Sequence, residues 1–201
     1  MTKVTQAHVD ARTAAILDAA LANFARKGVD RTTVQDIAAD AGLSAGAIYR
    51  YFPGKEELLH AVFERAMAMH RRMFEEAAAS ESPLKGLLAV GREALGEMLH
   101  RDIACVDLEM TLACARGPGG FVPEQRELRH LIIDLIERQV AVAQDAGEIA
   151  ADLDARTLAI VLNAFVLGVG SLALELGDEI DAAGALALVG DVLARTARPT
   201  A

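Results

Sequence analysis

Two short stretches of helical periodicity, separated by one glycine, constrain this chain more than any other feature. The first begins after Thr33 and the second after Ser44. Ala38 supplies the small side chain that two closely crossing helices need. Gly42, four residues later, tolerates the positive φ that a tight turn needs. The pattern predicts a helix-turn-helix that ends near Phe52. The alternative is a set of three small helices that pack a core without binding DNA.

The rest of the chain also favours helices. Hydrophobic residues make up 53% of the sequence, aromatic residues only 4%. This Ala/Leu-rich composition suits helices better than a sheet, which favours β-branched and aromatic residues. Caps and breakers divide the chain into about nine helices, with no convincing strand. We therefore predict an all-α protein with a three-helix DNA-binding domain at residues 1–55 and a helical effector-binding and dimerisation domain at residues 56–201.

Charge is distributed unevenly between these two parts. Residues 1–55 hold seven Lys/Arg and five Asp/Glu, a net of +2. Residues 56–201 hold thirteen and twenty-four, a net of −11, which accounts for the overall charge of −9. The acidic charge therefore belongs to the C-terminal part, and the N-terminal part remains free to meet phosphate.

Several other classes of protein are disfavoured. The first ten residues are polar, without the apolar stretch of a signal peptide, so we expect a cytoplasmic protein. Cys105 and Cys114 lie nine residues apart in one apolar stretch, about 13 Å along a helix, too far for a disulfide. Their spacing matches no zinc pattern, and we expect no metal and no cofactor. No Ser or Cys lies in a nucleophile motif, so an enzyme is the least favoured alternative.

One long apolar segment resembles a membrane span in length. Residues 157–174 carry no charged side chain. However, Asn163 lies in the middle, acidic residues flank the segment, and Arg156 is the only basic residue nearby. We expect a helix buried on both sides, by the core and by a partner subunit, and no membrane association.

The N-terminal region resembles a known family. Residues 32–59, TTVQDIAADAGLSAGAIYRYFPGKEELL, are similar to the signature of the TetR/AcrR family of transcriptional regulators, as is the end of the first helix at Phe24-x-x-x-Gly28. The resemblance covers roughly residues 10–60; the remainder is similar only in length, helix count and the turn at 147–154. It implies a dimer whose third helices, about Ala45 to Tyr51, read a palindromic operator in the major groove.

The resemblance also implies the DNA contacts. Thr33, Tyr49 and Lys55 match phosphate-contacting residues, which position the protein without reading sequence. For Tyr49 the alternative is packing. Base contacts are expected from Ser44, Ala45, Gly46, Ala47 and Arg50. Many relatives carry Lys or Arg in place of Ala45, so one charged contact is missing here. Arg50 is the candidate for guanine, or alternatively contacts phosphate or solvent.

An effector pocket framed by the fourth to eighth helices is implied as well. Polar groups inside apolar helices need a partner when they are buried, and a ligand is one possible partner. The alternatives are another side chain, another subunit or, for the apolar candidates, core packing. The ligand-binding candidates are Met98, Cys105, Glu109, Met110, Phe121, His130, Asn163 and Phe165.

Ala164, Gly168, Ser171 and Glu175 form a strip of mostly small residues that lets helices approach closely. We expect it at a dimer interface of four helices, or alternatively in packing within one subunit.

Taken together, the sequence predicts a ligand-responsive regulator, most simply a repressor released from its operator DNA by a small-molecule effector. The alternative is a helical partner-binding protein that does not bind DNA.

Overall fold

The computed structural model describes residues 6–116 and 122–196, and over these residues the chain forms helices and no strand. The helices are α1 (Gln6–Lys27), α2 (Val34–Asp40), α3 (Ala45–Ile48), α4 (Lys55–Ala78), α5 (Pro83–Met98), α6 (Arg101–Arg116), α7 (Val122–Asp145), α8 (Ala155–Leu176) and α9 (Ala182–Thr196). A short 3-10 helix, Gly177–Glu179, joins α8 to α9. The predicted all-α fold with nine helices is confirmed.

The third helix is shorter than predicted. It ends at Ile48, and residues 49–51 continue as a turn rather than to the expected end at Tyr51. The turn is closed by the N–H groups of Tyr51 and Phe52, which both donate to the carbonyl of Ile48. These two bonds to one carbonyl interrupt the regular helical hydrogen bonding. Pro53 follows Phe52 directly and has no N–H to continue a helix.

A first core holds the N-terminal helices together. Ile48 of α3 is completely buried, as are Phe24 of α1 and Ile37 of α2. The same cluster includes Leu58 and Leu59 of α4. Helix α6 also enters this cluster, through Val106 and Met110. Helices α1, α2 and α3, called the head from here on, therefore pack against α4 and α6, and their core includes residues beyond the boundary expected at residue 55.

A second core builds the body. It joins apolar residues of α4, α5, α7, α8 and α9, with Val140 and Ala159 fully buried at its centre. Close approach of α8 to α5 depends on Gly170, because a Cβ there would lie 2.8 Å from the Cβ of Met98. This contact explains one glycine of the Gly-x-Gly pattern on α8 as packing between helices.

Helix α8 is the most apolar element. Among the described residues, Ala155–Glu179 is the one stretch long and apolar enough to cross a membrane, and 17% of its apolar window is buried within the chain. One such helix is weak evidence for a membrane span. Within a single chain, α8 is covered on one side only, because Ile160, Val161 and Leu172 are exposed.

Candidate DNA interface and small-molecule cavity

Helix α2 begins with a complete capping box. The backbone N–H of Asp36 donates to the hydroxyl of Thr33 at 3.2 Å, and the Asp36 carboxylate accepts from the N–H and hydroxyl of Thr33 at 3.0 and 2.8 Å. The Lys27 ammonium lies 2.6 Å from the other Asp36 oxygen. The Lys27 and Thr33 hydrogen bonds lower the pKa of Asp36 from 3.8 to about 2. Thr33 is exposed at this helix start, although its hydroxyl proton is already donated to Asp36.

Asp36→Asn should lower the Tm of the protein near neutral pH, because the amide cannot accept from both Thr33 and Lys27 as the carboxylate does. The pKa of Asp36 is lower in the folded chain than in the unfolded one. Its contribution is therefore fully present above pH 3.8 and is lost as pH falls through about 2. The difference in Tm between variant and wild type should shrink over that range in thermal melts. Asp30→Asn, an exposed head residue, is the control. A difference in Tm that does not change with pH would contradict the stabilising role assigned to the Asp36 carboxylate.

The turn between α2 and α3 has the geometry that the sequence predicts. Gly42 has φ +66°, and the N–H of Leu43 donates to the carbonyl of Ala38 at 2.8 Å. Ser44 then caps α3 by accepting from the N–H of Ala47 at 3.2 Å. Because Ile48 anchors the inner side of α3, the outer side is turned to solvent.

The predicted DNA contacts lie on this outer side to different extents. Ser44, Gly46 and Arg50 are exposed, and Tyr49 retains 49% of its accessible surface. Ala45 and Ala47, the other predicted base contacts, are half-buried on the same helix. Small residues and one arginine thus form the surface that α3 presents, consistent with a helix that can approach DNA closely.

Lys55 has a structural role that the sequence did not predict. Its ammonium donates to the carbonyls of Val29 and Asp30 at 2.9 and 3.0 Å, and so ties the loop after α1 to the start of α4. An ammonium has three protons, so one remains for a phosphate.

A polar network between α1 and α2 was also missed. Asn23 is fully buried in α1 and donates to Asp40 at 2.8 Å, while Arg26 bonds both Asn23 and Asp40. Both hydrogen bonds lower the pKa of Asp40, and the bond from Arg26 has a larger effect than the bond from Asn23. The available signal was an Asn in the middle of an otherwise apolar helix face, which requires a partner.

A cavity of about 520 Å³ lies in the body, within the range of sites for drug-sized ligands. Helices α4 to α9 form its wall, together with two residues of α1, so it extends further than the predicted frame of the fourth to eighth helices. Most of the wall is apolar. Its polar and charged residues are Asp18, Arg65, His70, Arg72, Glu97, Asp107, Gln125, Arg129 and Asn163.

Of the ligand-binding candidates, Met98, Asn163 and Phe165 line this cavity. Phe121 lies outside the described residues. Four other candidates do not line this cavity: Cys105, Glu109, Met110 and His130.

Local helix geometry and packing explain why these residues lie outside the cavity. The residues of α6 that line the cavity are Ile103, Val106 and Asp107. Cys105, two residues after Ile103, therefore faces the opposite side of the helix. Met110 packs into the head core, and His130 is exposed on α7.

Glu109 reaches the head instead. Its carboxylate accepts from the N–H of Val29 at 3.0 Å and lies against Gly28, which has φ +81° at the end of α1. Sequence reasoning could identify Glu109 as a polar group in need of a partner. It could not show that this partner is backbone eighty residues earlier in the chain.

The polar side chains of the cavity fall into paired and unpaired groups. Arg65 pairs with Asp18 at 2.7 Å, and Arg129 with Asp107 at 2.5 Å. Glu97 has no hydrogen-bond or ion-pair partner among the described residues, and burial, followed by the nearby Glu93, raises its pKa.

His70 Nδ1 bonds the carbonyl of Ala66 at 2.8 Å, and burial lowers the pKa of His70. A carbonyl oxygen only accepts, so Nδ1 carries the proton of this bond, and in the neutral ring that burial favours, Nε2 is the acceptor.

The dimer candidates lie on an open face of α8. Ala164, Gly168 and Glu175 are exposed, and Ser171 is half-buried. Packing within one subunit therefore does not cover this strip. Helices α8 and α9 together carry six of the twelve exposed large hydrophobic side chains of the described residues, an unusual concentration on two helices. They are Ile160, Val161, Leu172, Leu176, Leu188 and Val192.

Comparison with known proteins identifies the family. The profile of the "Bacterial regulatory proteins, tetR family" matches residues 16–62. The chain is 31% identical to the HTH-type transcriptional regulator TtgR of Pseudomonas putida, over 96% of this chain and 91% of TtgR. The match to YfiR of Bacillus subtilis, 38% identical, is confined to 40% of this chain and 39% of YfiR.

Among solved structures, SmeT, the repressor of the Stenotrophomonas maltophilia multidrug efflux pump SmeDEF, is similar over most of its length. Its triclosan complex gives a TM-score of 0.73 at 28% identity, covering 91% of this chain and 90% of SmeT. The chain belongs to the tetR family. It is a DNA-binding transcriptional regulator of the helix-turn-helix type.

Proposed function

We propose that this protein is a dimeric repressor in the cytoplasm that leaves its operator when a small molecule fills the body cavity. The observation that carries this proposal is the position of α6. Ile103, Val106 and Asp107 of α6 form part of the cavity wall, and Glu109, on the same helix, holds Val29 of the head. A ligand that displaces α6 therefore displaces the loop that leads into α2.

Helix α4 gives the same loop a second connection to the cavity. Lys55, at its first residue, holds the carbonyls of Val29 and Asp30, while Phe63 and His70, further along α4, line the cavity. The coupling needs two arrangements of α4 and α6 that bind ligand and DNA with different affinities. SmeT, a repressor with triclosan bound in a known structure, supports this interpretation by similarity.

For the DNA side, we propose that the exposed outer side of α3 enters the major groove, with Arg50 as the base-reading candidate. Tyr49, Thr33 and the remaining proton of Lys55 are proposed to contact phosphates. A palindromic operator follows from a two-fold dimer.

For the dimer, we propose that α8 and α9 of two subunits form a four-helix seam. The support is the six exposed large hydrophobic side chains on α8 and α9, because exposed apolar side chains concentrated on neighbouring elements mark an interaction surface. This seam also explains the apolar composition of α8 without a membrane.

Ala94→Phe should separate ligand response from DNA binding. Ala94 lines the cavity, so an aromatic ring there occupies ligand space. We expect affinity for an effector to fall at least about tenfold, while affinity for operator DNA stays within about twofold. A compound screen by DNA release, followed by titration of wild type and variant with the same compound, measures both. Equal response of the two proteins would place the effector outside this cavity. Ala89→Phe, on the same helix but absent from the cavity wall, is the control.

A further inference from the structure

The cavity wall holds three carboxylates and three arginines, but only two pairs of them form ion pairs. Two of the three carboxylates there, Asp18 and Asp107, are neutralised by Arg65 and Arg129. The third, Glu97 on α5, has no cationic partner within 4.0 Å among the described residues. The interior therefore contains one carboxyl group without a counter-charge.

The remaining cation at the wall does not supply this counter-charge. Arg72 of α4 has an exposed side chain, and no described carboxylate lies within 4.0 Å of it. Glu97 itself is half-buried, and desolvation together with the carboxylate of Glu93 disfavours its charged form. An unpaired carboxylate in apolar surroundings is costly, and a bound cation would offset that cost.

Asn163 of α8 provides a second, independent observation. Its residue is only 8% exposed, and its amide has no hydrogen-bond partner among the described residues. No described side-chain N or O atom is both closed off from open space and unpartnered. The Asn163 amide therefore reaches the open space of the cavity, where a ligand group can bind it.

His70 adds a further acceptor. Because its Nδ1 donates to the carbonyl of Ala66, the neutral ring has its lone pair on Nε2. The cavity wall thus offers the Glu97 carboxylate, the Asn163 carbonyl oxygen and His70 Nε2, all of which accept hydrogen bonds. A ligand with a positively charged N–H group can donate to these acceptors, whereas a carboxylate or phosphate placed beside Glu97 meets a like charge.

We propose that the effector is an amphiphilic cation, an apolar molecule with one protonated nitrogen, and that Glu97 binds the charged nitrogen. Asn163 forms a hydrogen bond with the polar end of the same molecule, the end that carries the charged nitrogen. The proposal rests on the proposed function in one respect, that the body cavity is the effector site.

Three probes of equal chain length and different head group test the charge preference directly. Decylammonium, 1-decanol and decanoate are titrated into the full-length protein near neutral pH by isothermal titration calorimetry. We expect decylammonium to bind at least about tenfold more tightly than decanol, because a hydrogen bond to a charged group exceeds a neutral one by that order, and decanoate to bind most weakly.

Glu97→Gln should reduce the preference for decylammonium over decanol to within about twofold, with decanol bound as in wild type. The matched control is Glu93→Gln, which removes the same charge one turn away on α5 from an exposed residue outside the cavity wall. That variant should keep the preference.

Equal binding of the three probes by the wild type, tightest binding of decanoate, or no binding of decylammonium would overturn the proposal, even if Glu97→Gln failed to fold. The same loss of preference in both glutamate variants would also overturn it, because the effect would then be one of net charge.

Release of operator DNA is measured separately with the same probes. Glu97-dependent binding of decylammonium without DNA release would contradict the proposed repressor mechanism and leave this inference intact. Release of DNA by decanol and decylammonium alike, with equal affinities, would contradict this inference and leave the mechanism intact.

Discussion

Leu188→Glu should convert the proposed dimer into monomers. Leu188 is the most exposed large hydrophobic side chain of the described residues, at 64%, and it lies on the α8–α9 face proposed as the seam. In a two-fold interface the new carboxylate occurs twice, and each buried, unpaired charge costs several kcal/mol. We expect the dimer to dissociate at least about a hundredfold more readily.

The loss of the dimer should also weaken DNA binding strongly. Two linked heads bind two half-sites with an effective concentration that a single head lacks, so operator affinity should fall by about a hundredfold or more. Light scattering gives the molar mass, and fluorescence anisotropy gives the affinity. Leu112→Glu places the same charge on α6, outside the two helices of the proposed seam, at a side chain that is 47% exposed, and should remain dimeric. A dimeric Leu188→Glu protein with normal affinity would contradict the proposed seam.

Gly46→Glu should abolish specific DNA binding without unfolding the head. Gly46 is exposed on α3, and a Cβ built there meets nothing within 4 Å, so the folded chain accommodates a side chain. In a complex, the carboxylate would face phosphates at close range, and like charges brought together cost several kcal/mol. The expected loss of operator affinity is at least about a hundredfold.

The matched control for this change is Gly96→Glu. Gly96 is an exposed helical residue on α5 that also has open space around a built Cβ, so the two variants have equal charge and similar helix propensity. Circular dichroism should show that both remain folded, and anisotropy should show that only Gly46→Glu loses DNA. Normal operator binding by Gly46→Glu would show that α3 does not enter the groove.

The helices were predictable because their signals are local. Thr33, Ser44 and Asp154 each cap a helix with a side chain in the structure, and Gly42 has the positive φ expected of its turn. Helix α3 ends three residues before the expected Tyr51, because the N–H groups of Tyr51 and Phe52 both donate to the carbonyl of Ile48 and close a tight turn there.

The cavity could be predicted only in part. Polarity within an apolar helix selected Asn163, which lines the cavity, but the same criterion also selected Glu109, which reaches the backbone at Val29. The criterion shows that a group needs a partner and does not show which partner it finds. Glu97 was missed because an acid on an amphipathic helix usually faces water. Its place in the cavity follows from how α5 packs against α8, a long-range contact.

We expect the protein to recognise a particular operator through its helix-turn-helix. Fluorescence anisotropy tests this recognition most directly, with wild-type protein titrated into DNA from upstream of its own and neighbouring genes and into scrambled DNA of the same composition, over a series of salt concentrations. We expect one fragment to bind at least about a thousandfold more tightly than scrambled DNA, with log affinity falling linearly with log salt. Equal affinity for all fragments at every salt concentration would contradict the account.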